Sequence, residues 1–99
     1  MSDIEIIRSK VSEDELLCQL AEEATELAKA ALKLRRAKGT KNPTPVTPEE
    51  AYANLIEELG DIELCLYALN YDRGEAIDRI LARDKKLKRW VKRLGGRNG

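Results

Sequence analysis

Two acidic motifs of the same design contain the residues of this sequence that could do chemistry. In each motif two adjacent glutamates are followed, three residues after the second, by another carboxylate, and aliphatic residues flank the group. Their acids are Glu22, Glu23 and Glu26 in the first motif and Glu57, Glu58 and Asp61 in the second. Because residues three and four apart are neighbours on a helix surface, each helical motif presents its carboxylates on one side. Two such helices packed face to face would crowd six acids together, which is favourable only when cations bind there.

Carboxylate oxygens without histidine or thiolate select hard cations, so the expected occupant is Mg²⁺, with Mn²⁺ as the alternative metal. The chain has no histidine, which excludes zinc fingers and the histidine-dependent di-iron sites of ferritin-like bundles. Cys18 and Cys65 are far apart in the sequence, and we expect both to be free, buried thiols. For one acidic motif alone, a solvated helix face is the ordinary explanation; the repetition at matched helical phase favours a metal site.

Helical phase, at about 100° per residue, ranks the acids by their expected burial. The residues that centre the expected core faces are Leu20, Ala24, Leu27 and Ala31 on the first helix and Leu55, Leu59, Ile62 and Leu66 on the second. Glu23 and Glu58 lie at the flanks of these faces, and Glu26 and Asp61 lie further round. Because Asp61 is surrounded by apolar residues, the second helix is apolar on nearly every side, which predicts burial. Glu58 and Asp61 are therefore expected to be partly buried acids, which are costly unless paired or metal-bound.

Length and composition favour a single all-α domain. The chain has 99 residues, with 18 Lys and Arg against 18 Asp and Glu, so the zero net charge indicates no class of partner. Ala, Leu, Glu, Lys and Arg dominate and favour helices, and no strand pattern occurs. No apolar run is long enough to span a membrane, and the N-terminus lacks the apolar stretch of a signal peptide. We therefore expect a cytoplasmic protein with no membrane partner.

Helix start and stop signals divide this domain, residues 1–99, into three main helices and a short N-terminal segment. Ser12 and Thr47 each begin a capping box. Their helices are expected to end near Lys38 and Asn70, and a third to run from the turn at residues 72–75 to Gly95. Residues 1–11 are an N-terminal arm or short helix, residues 39–47 a linker and residues 95–99 a frayed tail.

Three helices cannot close a core around a helix that is apolar on nearly all sides. We therefore predict an antiparallel helical bundle of three main helices that is completed by dimerisation. The second main helix, over Leu55–Leu69, is expected at the interface of this homodimer.

The two motifs together resemble those of the MazG-type all-α nucleoside triphosphate pyrophosphohydrolases. Residues 22–28 and 58–61 are similar to the EExxE and ExxD motifs of that family, and the likeness extends over most of residues 16–94, including 31–36, 61–64 and 86–89. The resemblance implies a helical bundle completed by dimerisation, sometimes as a dimer of dimers. It also implies Mg²⁺-dependent cleavage between the α and β phosphates of (d)NTPs to a monophosphate and pyrophosphate, a reaction that cleans nucleotide pools.

The resemblance also assigns roles by position. The implied metal ligands are Glu23, Glu26, Glu58 and Asp61. Glu22, beside Glu23 in the catalytic motif, would orient or deprotonate the attacking water. Lys86 and Arg89 match basic residues that contact phosphates in the family. No aromatic residue precedes Leu16, so the base-recognising aromatics of the family are not evident and the preferred base stays open.

Two non-catalytic alternatives compete with an enzyme. One is an anion-binding or nucleic-acid-binding helical module that uses the basic residues of the last helix. Nucleic acid is disfavoured, because those residues fall on several faces and only Trp90 is interleaved with them. The other is a helical dimerisation or regulatory protein with a vestigial metal site.

Overall fold

The computed structural model describes residues 1–39, 45–69 and 73–96, with the backbone alone for residues 73–76. Its helices are α1 (Asp3–Lys10), α2 (Glu13–Ala37), α3 (Pro48–Leu69) and α4 (Arg73–Arg93), and the described ranges contain no strand. The all-α prediction is confirmed. Four predicted features lie wholly or partly outside the described residues: the linker, the helix end near Asn70, the turn at Asp72 and the frayed tail.

Capping side chains mark the N-terminal ends of α1, α2 and α3. The Ser12 hydroxyl accepts a hydrogen bond from the Glu15 amide at 3.1 Å, and the Thr47 hydroxyl accepts one from the Glu50 amide at 3.1 Å. Such side chains satisfy amides that have no partner within a helix. Ser2 caps α1 in the same way, through the Glu5 amide at 3.3 Å. The N-terminal arm is therefore a short helix. Across the described residues, no helix is both long and apolar enough to cross a membrane.

Helices α2 and α3 pack against each other, and their most buried residues are mostly small. These residues are Leu16, Ala30 and Ala37 on α2 and Ala51, Cys65 and Ala68 on α3, while larger residues such as Leu27 and Ile62 are half-buried. Small side chains allow two helix backbones to approach closely, so groups at the edge of the interface come near each other. They also bury little apolar area, and larger apolar side chains remain exposed elsewhere on the same helices.

The packed face of α2 differs in part from the predicted one. Leu20 and Leu27 are half-buried as expected, but Ala24 and Ala31 are exposed, and Glu23 is half-buried. The shift occurs because Leu16, Ala30 and Ala37 make the contact, and Glu23 lies on their side of the helix. Glu23 therefore belongs to the packed face rather than to its flank.

On α3 the predicted face is largely confirmed, because Leu55, Ile62 and Leu66 are half-buried and only Leu59, at 41% exposed, departs from it. Glu58 and Asp61 are half-buried, as predicted. The small residues of α3 lie on the same side as these acids.

Only one of the two cysteines is buried. Cys18 and Cys65 are both free thiols as predicted, but only Cys65 is buried, and the expected burial of Cys18 is wrong.

Helix α1 is tied to the C-terminal end of α3 by Arg8. An Arg8 Nη2 hydrogen donates to the Tyr67 carbonyl oxygen at 2.7 Å, and the guanidinium carbon lies 5.1 Å from the centre of the Tyr67 ring. The last carbonyls of a helix have no partner within it, and they carry its negative dipole end. Arg8 therefore caps α3 while it holds α1 in place.

Helix α4 lies apart from the other helices. Among the described residues, no Cα of α4 comes within 8 Å of a Cα in α1, α2 or α3. The apolar residues Ile77, Ile80 and Leu87 of α4 are therefore 48–57% exposed. Within the described part of one chain, the predicted bundle of three main helices is not closed.

A second apolar surface, the α3 stripe, is also uncovered. It consists of Tyr52, Ile56, Leu59 and Tyr67, which are 41–60% exposed. At about 100° per residue these four side chains fall on one side of α3, turned away from its buried alanines. Helix α3 thus has two apolar faces, of which α2 covers one.

Candidate metal centre

Three of the predicted acids meet between α2 and α3. One carboxylate oxygen from each of Glu23, Glu58 and Asp61 lies within 4.8 Å of the others, and all three residues are half-buried. Glu58 and Asp61 are one helical turn apart on α3, while Glu23 faces them from α2. The close approach of the two helices, through their small residues, brings these acids together.

Mutual repulsion and burial disfavour the ionised form of this cluster. The pKa of Glu58 is raised from 4.5 to about 7, first because its carboxyl can share a proton with Glu23, then by burial and by the charges of Glu23, Asp61 and Glu26. Burial raises the pKa of Asp61, and the same hydrogen-bonding and repulsion by Glu23 add to it. A cation in the cluster would relieve these effects, because it favours the charged form of each acid.

One oxygen of the cluster has no partner. Oε2 of Glu58 is buried, and no hydrogen-bond donor among the described residues reaches it. When Glu23 and Glu58 are both ionised, neither can donate to the other, so a shared proton, a water molecule or a cation is needed to satisfy this oxygen. Three carboxylates from two helices suit a hard divalent cation such as Mg²⁺. The residues present therefore fit the predicted metal.

Gln19 holds Glu23 in position. Its side-chain amide nitrogen donates to Oε1 of Glu23 at 2.7 Å, across one turn of α2. Groups that bond to a metal ligand orient it and tune its affinity. The sequence interpretation missed Gln19, although its spacing of four residues before Glu23 is one at which helical side chains meet.

Glu22 and Glu26 stand outside this group of three. Glu22 is exposed, and Glu26 pairs with Lys29, whose Nζ lies 3.3 Å from Oε1 of Glu26, with both side chains more than half exposed. Glu26 is nevertheless close enough for its charge to raise the pKa of Glu58. It also lines, with Glu57 and Glu58, a cleft of about 420 Å³ between α2 and α3.

Cys65 adjoins the cluster as a buried thiol. Its pKa is raised by burial first, and then by the charges of Glu23 and Asp61. A thiol must lose its proton to become a good metal ligand, and this environment opposes that loss. The donor set of the candidate site is therefore oxygen alone.

The structure does not bring Lys86 and Arg89 to the acids of the same chain. Both are exposed on α4, which approaches neither α2 nor α3 in the described ranges. The Nζ of Lys86 instead lies 5.8 Å from the centre of the Trp90 ring, and the Arg93 guanidinium lies 6.0 Å from it. Trp90 is thus flanked by two cations, an arrangement that stabilises α4 itself.

The assembled site therefore has three half-buried carboxylates, a glutamine that orients one of them, and an adjoining cleft. No family model, curated protein or solved structure matches this chain.

Proposed function

We propose that this protein is a Mg²⁺-dependent nucleotide pyrophosphohydrolase that cleaves the α–β phosphate bond of (d)NTPs to a monophosphate and pyrophosphate. The observation that carries the proposal is the meeting of Glu23, Glu58 and Asp61, with one buried oxygen of Glu58 that has no hydrogen-bond partner among the described residues. The cleft beside these acids supports a phosphate-bearing ligand, because Mg²⁺ held by few carboxylates commonly takes substrate phosphates as further ligands. The resemblance of the two motifs to the MazG-type enzymes supports the reaction.

Metal binding and ligand positioning are assigned to different residues. Glu23, Glu58 and Asp61 would hold Mg²⁺, with Glu26 as the fourth ligand that the resemblance implies. When bound, Mg²⁺ neutralises phosphate charge and lowers the pKa of a coordinated water. Gln19 keeps Glu23 oriented through its 2.7 Å hydrogen bond.

The bond changes follow from the products. Water adds to a phosphorus atom of the α–β linkage, the bond from that phosphorus to the bridging oxygen breaks, and the water's proton is released. Glu22, exposed beside Glu23, is the candidate to orient the water or accept that proton. The water must approach the metal centre from solvent, and the exposure of Glu22 is compatible with that path.

The proposed working form is a homodimer or a dimer of dimers. The α3 stripe and the apolar residues of α4 are exposed in the single chain, and contiguous exposed apolar surface marks association sites. The charges also complement each other: α3 contains six acids and no base, whereas α4 contains nine bases and three acids. A second copy could cover these surfaces without leaving like charges in contact.

A panel of ribonucleotides and deoxyribonucleotides tests the reaction. In Mg²⁺ we expect at least one triphosphate to yield its monophosphate and pyrophosphate, and we expect Glu58→Gln to abolish this turnover while helicity is retained. Formation of a diphosphate and phosphate, or no turnover of any nucleotide, would contradict the proposal.

The position of α4 favours the anion-binding module as the second candidate function. This helix makes no contact with the other helices in the described ranges, and its many cations are exposed. Binding to random-sequence duplex DNA that weakens steeply with salt, without nucleotide turnover, would support this alternative.

A further inference from the structure

The cleft between α2 and α3 changes in charge along its length. Its acidic residues, Glu26, Glu57 and Glu58, adjoin the metal centre. Toward the C-terminal end of α2, the residues that line the cleft are cations. These are Lys29, Lys33 and Arg36, with the amide side chain of Asn54 contributed by α3.

The three cations share one side of α2. Their spacing of four and then three residues places them on adjacent turns of one helix face, over about 10 Å. Lys29 is the nearest to the acids and already pairs with Glu26 at 3.3 Å. Lys33 and Arg36 extend the row beyond the reach of that acid.

Lys33 lacks an internal counterion. It is half-buried, and it makes no hydrogen bond or ion pair with any described residue. A solvated cation on a helix surface would be the ordinary explanation, but such a side chain is mostly exposed, as Lys29 is. A half-buried lysine that lines a cleft is suited to bind an anion that enters from solvent.

We propose that Lys33 and Arg36 bind the condensed phosphate chain of the substrate, at the end of the cleft away from the three carboxylates. The ligand class is a linear diphosphate or triphosphate, either free or as part of a nucleotide. This inference rests on the proposed function, because it uses the metal centre to hold the other end of the same chain. The departing pyrophosphate carries the charge that grows as the bond breaks, and these two cations stabilise it.

This assignment differs from the one that the resemblance implies. Lys86 and Arg89 lie on α4, away from the cleft of their own chain, whereas Lys33 and Arg36 line it. The two pairs have the same composition, one lysine and one arginine, each on a helix. They are therefore matched test and control variants.

Calorimetric titration with inorganic pyrophosphate in Mg²⁺ tests the inference without requiring turnover. We expect the double variant Lys33→Met with Arg36→Met to bind pyrophosphate at least about tenfold more weakly than the natural chain. Lys86→Met with Arg89→Met should bind it as the natural chain does. The single variant Lys33→Arg keeps the charge and should retain most of the affinity for pyrophosphate. Circular dichroism checks that each variant remains helical.

Two outcomes overturn the inference: no pyrophosphate binding by the natural chain in Mg²⁺, or binding that the Lys33 and Arg36 variants leave unchanged. Loss of binding in the α4 pair alone would also overturn it. Nucleotide kinetics separate the two sources of the phosphate chain, because only a site that binds the phosphates of a nucleotide predicts that the kcat/KM of the α2 variant falls. If no nucleotide is turned over but pyrophosphate binding still depends on Lys33 and Arg36, the proposed function fails and the anion site stands.

Discussion

The carboxylates of Glu23 on α2 and Glu58 on α3 have oxygens within 4.8 Å of each other. Hydrogen bonding with Glu23, burial and the charges of the neighbouring acids together raise the pKa of Glu58 to about 7. The buried Oε2 of Glu58 has no other partner among the described residues. A proton and a metal ion therefore compete for the carboxylate of Glu58. This competition makes the site sensitive to pH in a defined direction.

The stability of the metal-free protein should fall as the pH rises from about 5 to about 8. Folding raises the pKa of Glu58 from 4.5 to about 7, so the folded state binds more protons than the unfolded state in that window. The stabilisation by the proton is present below pH 4.5 and is lost as the pH rises through 7. Thermal unfolding followed by circular dichroism, in chelator and across this pH range, measures the effect.

Glu58→Gln and Glu63→Gln form the matched pair for this experiment. Glu63 is exposed on α3, lies outside the group of three acids and contributes to the raised pKa of neither Glu58 nor Asp61. Glu58→Gln should stabilise the metal-free protein at pH 8 and flatten its pH profile, whereas Glu63→Gln should leave the profile nearly unchanged. A Glu58→Gln profile parallel to that of the natural chain would show that the cluster is not the source of the pH dependence.

Much of the helical framework could be predicted from the sequence, because the signals are local. Ser12, Thr47 and Pro48 determine where α2 and α3 begin, and each lies within one turn of the amides that it caps or precedes. Glu23, Glu58 and Asp61 were likewise predicted as members of one site. These predictions required only helical spacing and the cost of crowding carboxylates.

The rotation of the two helices could not be predicted in the same way. The aliphatic pattern gave the packed faces only approximately, because Leu27 and Ile62 are half-buried as expected whereas Ala24 is exposed. The exact rotation depends on how the two helices fit together, which is a property of the pair of helices. Local sequence patterns also do not determine where α4 packs, because its apolar residues can cover either this chain or another. At about 100° per residue, Arg89 lies on the side of α4 opposite Ile80, and Lys86 lies about 120° from Ile80.

Arg8 should contribute to stability through the end of α3. Replacing it with methionine removes the hydrogen bond to the Tyr67 carbonyl and the cation over the ring, and we expect a loss of about 1 kcal/mol in the free energy of unfolding. Urea unfolding measures the change. Lys10→Met, also in the last turn of α1, is the control and should have a smaller effect; equal losses in both variants would contradict a specific role for Arg8.

Association should depend on the α3 stripe. Ile56→Lys places a charge within it, and light scattering coupled to size exclusion should then show a shift from a dimer or larger assembly toward the 11.2 kDa chain. Leu32→Lys is the control, because Leu32 is equally exposed (52%) but lies on α2 outside the stripe. A natural chain that is monomeric in solution, or equal dissociation by both variants, would contradict the proposed interface.

The central claim is that three carboxylates hold a divalent cation, and Mn²⁺ binding followed by electron paramagnetic resonance tests it most directly. Mn²⁺ takes oxygen ligands like those of Mg²⁺, and its free signal falls as it binds. The prediction is saturable binding at pH 8 that competes with Mg²⁺ and weakens at least about tenfold in Glu58→Gln, with little change in Glu63→Gln. Binding of equal strength in the natural chain and Glu58→Gln, or no binding at all, would contradict the claim.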